Sequence, residues 1–98
     1  MMVLHELAHA YHDQVLSFQD TLIMAAYQRA LSSRRYDNVE RNNGRHERAY
    51  AMTDHTEYFA ELSEAYFGVN DFFPFTRAQL ASFDPESFDV IAAAWNRP

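Results

Sequence analysis

Two histidines four residues apart with a glutamate beside the first, His5, Glu6 and His9, form the HExxH spacing that lets one helical turn hold a metal ion and set a base next to it. On an α-helix, residues i and i+4 differ by about 40° in direction and by roughly 6 Å along the axis, so two imidazoles can converge on one ion. Glu6 lies about 100° round the helix from His5. From there its carboxylate can take a proton from a metal-activated water without being a ligand itself. A hydrolytic zinc centre further needs a third ligand, a group that stabilises a developing oxyanion, and a cleft.

His12 is the nearest candidate for the third ligand. On one continuous helix, however, His5 and His12 are separated by roughly 10 Å of rise, too far for both to reach one ion at zinc–nitrogen distances of about 2 Å. The extended HExxHxxGxxH pattern also fails, because it requires Gly at position 12 and His at position 15, where this chain has His12 and Val15. A later helix offers carboxylates instead, in Glu57-Tyr58-Phe59-Ala60-Glu61-Leu62-Ser63-Glu64. Glu57 and Glu61 share a helix face, so one can bind the metal while the other orients a ligating imidazole. The plainer reading makes Glu57, Glu61 and Glu64 a solvated face. An HExxH helix in the same short chain favours the ligand reading.

Glu57-Tyr58-Phe59-Ala60-Glu61, placed 48 residues after His9 and preceded seven residues earlier by Tyr50, resembles the catalytic segment of the anthrax lethal factor family and the related Pro-Pro endopeptidases. The resemblance implies one Zn²⁺ held by His5, His9 and Glu57, with Glu6 as general base, the Tyr50 hydroxyl directed at the substrate carbonyl, and Glu61 behind the ligands. It implies a zinc metallopeptidase acting on a peptide or protein substrate. It covers about residues 3 to 67; the stretch from Tyr66 to Phe75 and the closing helix have no counterpart in it. Zincin domains usually place a substrate-holding sheet ahead of the HExxH helix, and only four residues precede His5 here. The chain is therefore expected to be the C-terminal half of a catalytic domain whose N-terminal portion, with its sheet, is missing.

The elements that must position these residues follow from periodicity and capping signals. From Val3 to about Phe18, Leu4, Leu7, Ala8, Tyr11, Val15 and Phe18 recur at three- and four-residue spacings, predicting a helix with an apolar stripe beside the histidines. Asp20 can cap a second helix to Leu31, forming a hairpin with the first. Residues 36–51 hold an Asn43-Gly44 turn signal and predict an exposed hairpin or ordered loop. Asp54 can cap a third helix from His55 to Phe67, and Thr76 to Gln79 has capping-box spacing for a short fourth helix ending near Phe83. Asp84-Pro85 starts the last helix. The expected fold is mainly α, a single zincin-like domain over residues 1–98 with four to five helices and a short β-hairpin. His12, His46 and His55 are expected to be surface or hydrogen-bonded histidines. Phe72, Phe73, Phe75 and Trp95 read as core.

Composition narrows the remaining classes. Fourteen acidic against eight basic residues give a net charge of −6, and the scattered arginines argue against nucleic acid as a partner. No apolar run approaches the roughly 18 residues of a membrane span, and no charged leader or signal region precedes the motif. A soluble chain is expected, its localisation open, although relatives implied by the resemblance are often secreted. The absence of cysteine removes disulfides, thiolate metal sites and cysteine nucleophiles together. Any metal must be held by His, Asp or Glu. A second function class stays open beside the zinc endopeptidase: a non-catalytic, zinc-stabilised helical or partner-binding module derived from a metallopeptidase.

Overall fold

Four of the helices start where a side chain satisfies their first free N–H groups. Asp20 accepts from Ile23 N at 2.9 Å to open α2 (Thr21–Ser33), and Asp54 accepts from Glu57 N at 2.9 Å to open α3 (His55–Phe67). Thr76 and Gln79 form a reciprocal capping box at α4 (Arg77–Phe83). Asp84 accepts from Ser87 N at α5 (Pro85–Trp95), with Pro85 at the first helical position, where its missing N–H costs nothing. With α1 (Val3–Tyr11), these make five α-helices in the computed structural model, which describes residues 3–96. The mainly α class is as expected, and no helix among the described residues is long and apolar enough to cross a membrane.

The first helix departs from expectation. It does not run on to Phe18 but widens after Tyr11 into a π-helical turn, His12–Leu16, and stops at Ser17, whose φ is 78°. A π turn closes its hydrogen bonds over five residues instead of four, so every later side chain is rotated from its α-helical direction. Leu16 is consequently buried, whereas Val15 is 55% and Phe18 37% exposed. His12, expected at the surface or hydrogen-bonded, is turned into the core with no partner on either ring nitrogen among the described residues.

Helix α3 is the centre of the molecule. Tyr58 to Ser63 and Ala65 are all buried, with α1, α2, α4 and α5 packed around them. Aromatic layers join these helices: Trp95 stacks on Tyr11 at 4.1 Å between centroids and on Phe59 at 5.6 Å. The polar atoms of these rings are satisfied inside. Tyr11 Oη donates to Ala94 O, Trp95 Nε1 to Ser63 Oγ, and Tyr58 Oη to Ser87 Oγ, all within 2.8 Å. Burial raises the Tyr58 phenol above its ordinary value and so keeps it a neutral donor.

The hairpin expected in residues 36–51 is present. Strands β1 (Val39–Glu40) and β2 (His46–Glu47) pair antiparallel, Val39 opposite Glu47 and Glu40 opposite His46. Gly44 takes a φ of 86° in the connecting turn, a left-handed backbone that glycine adopts without a Cβ penalty. The segment after α3 then lies along the hairpin. Asn42 N donates to Asp71 O and Phe73 N to Glu40 O, both at 2.7 Å, with Arg41 bridged to Phe72 between them. Residues 70–73 thereby strap the hairpin to the end of the central helix.

Candidate metal centre

Helices α1 and α3 lie against each other, and the contact brings the two histidines of one to the carboxylates of the other. Nε2 of His5 is 2.9 Å from Oε1 of Glu57, and Nε2 of His9 is 3.3 Å from Oε2 of the same carboxylate. The two rings meet edge to face at 4.7 Å between centroids. Ligand atoms at tetrahedral corners on bonds of about 2.0–2.1 Å stand about 3.3 Å apart. One ligand atom from each of His5, His9 and Glu57 lies within 4.8 Å of the other two, close enough for the three to be drawn to one small cation, and His and Glu are donors that zinc accepts.

The other side of the His5 ring is also fixed. Its Nδ1 lies 2.7 Å from Oε1 of Glu64 and 3.5 Å from Oε2 of Glu61. With Nδ1–H donating to Glu64, the lone pair stays on Nε2, on the side of His9 and Glu57. Burial disfavours a charged imidazole here, but hydrogen bonds to Glu64 and Glu57 and their negative charges outweigh it, so the pKa of His5 is raised. Carboxylates that draw a second proton onto this ring favour any cation in its place.

Glu61, placed by the sequence behind the ligands, is there but is not the closest partner of His5. It is 5% exposed, its Oε1 has no hydrogen-bond partner among the described residues, and burial followed by the neighbouring Glu64 raises its pKa to about 8. At 2.7 Å against 3.5 Å, Glu64 and not Glu61 is the hydrogen-bond acceptor of His5 Nδ1. In the sequence Glu64 is one of three acids on an anonymous helix face. The signal was its spacing: seven residues past Glu57, it returns to within about 20° of the same helix direction.

Glu57 is held from its backbone as well as by the histidines, since its N–H is the one that caps on Asp54. Burial works against an ionised Asp54, but hydrogen bonds from Glu57 N–H and Thr56 prevail and hold it below its usual value. Tyr50 begins a single 3₁₀ turn, Tyr50–Met52, just before this cap. Tyr50 and Glu6 line one cleft of about 740 Å³ with His5, His9 and Glu57. Neither the Tyr50 hydroxyl nor the Glu6 carboxylate is hydrogen-bonded to a described residue.

The remaining histidines lie apart from this cluster. His12 packs against Phe18, Phe59 and His55, with ring centroids 5.0, 4.8 and 5.8 Å away. His55 Nε2 donates to Phe18 O at 2.6 Å, as a hydrogen-bonded histidine should, and His46 is exposed on β2. Phe72 is both core and cleft wall, being 7% exposed while lining the cavity. Comparison with protein-family models, curated proteins and solved structures finds no match to this chain.

Proposed function

We propose that this chain carries the catalytic centre of a zinc-dependent endopeptidase. One observation supports this most: the Nε2 atoms of His5 and His9 converge on the Glu57 carboxylate at 2.9 and 3.3 Å, with Glu6 and Tyr50 on the same cleft. His5, His9 and Glu57 would hold the ion. When bound, zinc supplies Lewis acidity, lowering the pKa of a water toward neutrality and polarising a peptide carbonyl. Glu6 takes the proton of the attacking water and later gives it to the leaving amine, so one carboxylate acts first as base and then as acid. The Tyr50 hydroxyl donates a hydrogen bond to the oxyanion that develops on the carbonyl oxygen.

The test is zinc stoichiometry and peptide-library cleavage for the wild type and Glu6→Gln. The variant should bind one zinc per chain and cleave nothing; undiminished cleavage by purified Glu6→Gln would overturn the assignment. A second reading, a zinc-stabilised module without catalysis, is favoured by the outer side of α1, where Val3 and Leu7 are 52% and 57% exposed. Zinc binding without Glu6-dependent cleavage would establish it.

A further inference from the structure

Two arginines line the cleft beside the metal centre, and they differ in what already occupies them. Arg41 pairs with Glu47 at 3.3 Å and lies over the Phe72 ring at 5.0 Å. Arg48 has no carboxylate within ion-pair distance among the described residues. Its Nη2 donates to Met52 O at 3.1 Å, and that carbonyl also accepts from Tyr27 Oη at 2.9 Å. Met52 is itself buried. The guanidinium is thus tied by one N–H to a fixed point of the core, on the loop that carries Tyr50, and keeps further donors without a partner among the described residues.

The acids of the cleft are otherwise engaged. Glu57 faces His5 and His9, Glu64 faces His5, Glu47 faces Arg41, and Asp71 accepts from Asn42 Nδ2 at 3.2 Å. Glu61 is buried 3.5 Å from His5 Nδ1, and Glu6, without a described partner, is the base of the proposed reaction. Arg48 is therefore an exposed cation on the wall of the same cleft, without an ion pair to a described residue and already held at one N–H by Met52 O. A planar guanidinium in that state loses little freedom on meeting a carboxylate and can hold it by two parallel N–H···O bonds.

We propose that Arg48 is a specificity residue that selects peptides bearing a carboxylate close to the scissile bond. This rests on the endopeptidase reading above. The carboxylate has two sources, an Asp or Glu side chain within the peptide or the α-carboxylate of a short C-terminal product, and they share the same chemistry at Arg48.

The experiment measures kcat/KM of the zinc-loaded chain on matched peptides. One arm varies a single position near the cleavage site among Glu, Gln and Lys with the C-terminus amidated. A second arm carries no acidic side chain and compares a free with an amidated C-terminus near the cleavage site. Preference for the carboxylate should be about tenfold in one arm, which identifies the source. In Arg48→Ala the preference disappears through a higher KM at unchanged kcat, Arg48→Lys retains part of it, and Arg45→Ala, on the hairpin turn away from the cleft, leaves it intact. Should Arg48→Ala not fold, as judged by circular dichroism, Arg48→Gln serves in its place with a donor for Met52 O. Equal kcat/KM across both arms, or a preference that survives loss of the Arg48 charge, overturns the selection while leaving the peptidase standing. If no peptide is cleaved at all, the peptidase reading falls and the selection with it.

Discussion

Nδ1 of His5 lies 2.7 Å from Oε1 of Glu64, a residue 59 positions further along the chain, while the opposite nitrogen of the same ring faces Glu57 at 2.9 Å. The imidazole is thus held from behind by one turn of α3 and presented forward to another. Such support behind a ligand commonly changes metal affinity by about 10–100-fold when removed. Glu64→Gln should weaken zinc binding by that factor, and Glu61→Gln by less than Glu64→Gln. Competition against a chromophoric chelator at neutral pH reads both. A larger loss in Glu61→Gln would show that the closer contact is not the supporting one.

Asp54 joins the stability of α3 to the placement of Glu57, because the N–H it caps belongs to that proposed ligand. Asp54→Ala should cost about 1 kcal/mol in denaturant unfolding of the metal-free protein. It should also lower zinc affinity, since the first turn of α3 frays where Glu57 sits. Undiminished zinc affinity in a destabilised variant would separate the two effects.

The Tyr50 hydroxyl carries no hydrogen bond to a described residue, and the turn that bears it is held by backbone bonds from Met52 N to Ala49 O and from Thr53 N to Tyr50 O, both at 3.0 Å. Tyr50→Phe should therefore leave folding and zinc stoichiometry unchanged. If the hydroxyl stabilises an oxyanion, kcat falls by about 10²–10³ with KM little altered. A variant with wild-type kcat would remove Tyr50 from the reaction.

Burial, followed by the nearby charge of His55, lowers the pKa of His12 to about 4 from 6.5. A folded-state pKa below the unfolded one means the unfolded chain binds more protons between those values, so stability falls as pH falls through that window. The full effect is about 3 kcal/mol. His5, with its raised pKa, acts in the opposite sense: its contribution is present below pH 6.5 and is lost as pH rises through its folded value. The difference between wild type and His12→Leu in urea unfolding, measured with chelator from pH 7 to pH 4, isolates His12. The variant should lose less stability on acidification; parallel curves would show that His12 titrates normally.

Much of this architecture was legible because helix starts depend on local chemistry. Asp20, Asp54, Thr76 and Asp84-Pro85 mark their boundaries by residue type alone, and each caps the helix expected of it. The histidine pair was legible for a similar reason, as spacing fixes direction on a helix, whereas spacing alone left Glu57 and Glu61 as alternatives and the resemblance singled out Glu57. What escaped was set by tertiary contact. No 3.6-residue pattern signals a π turn, so the inward rotation of His12 and Leu16 could not be read from apolar spacing. The role of Glu64 depends on which turn of α3 faces His5, a matter of how two helices cross. The strap of residues 70–73 escaped because Asp71, Phe72 and Phe73 pair about 30 residues back in the chain.

That strap has a consequence for how the cleft opens and closes as a unit. Phe72 and Arg41, one wall of the cleft, belong to segments joined by the amide bonds of Asn42 and Phe73, and the chain between them passes through all of α3. The wall cannot detach by fraying from one end; both amides must be released together, and with them the grip on the end of the helix that bears Glu57. Hydrogen exchange at these two amides, each corrected for its intrinsic rate, would therefore give one common opening free energy, as a single cooperative opening and not as independent loop motions.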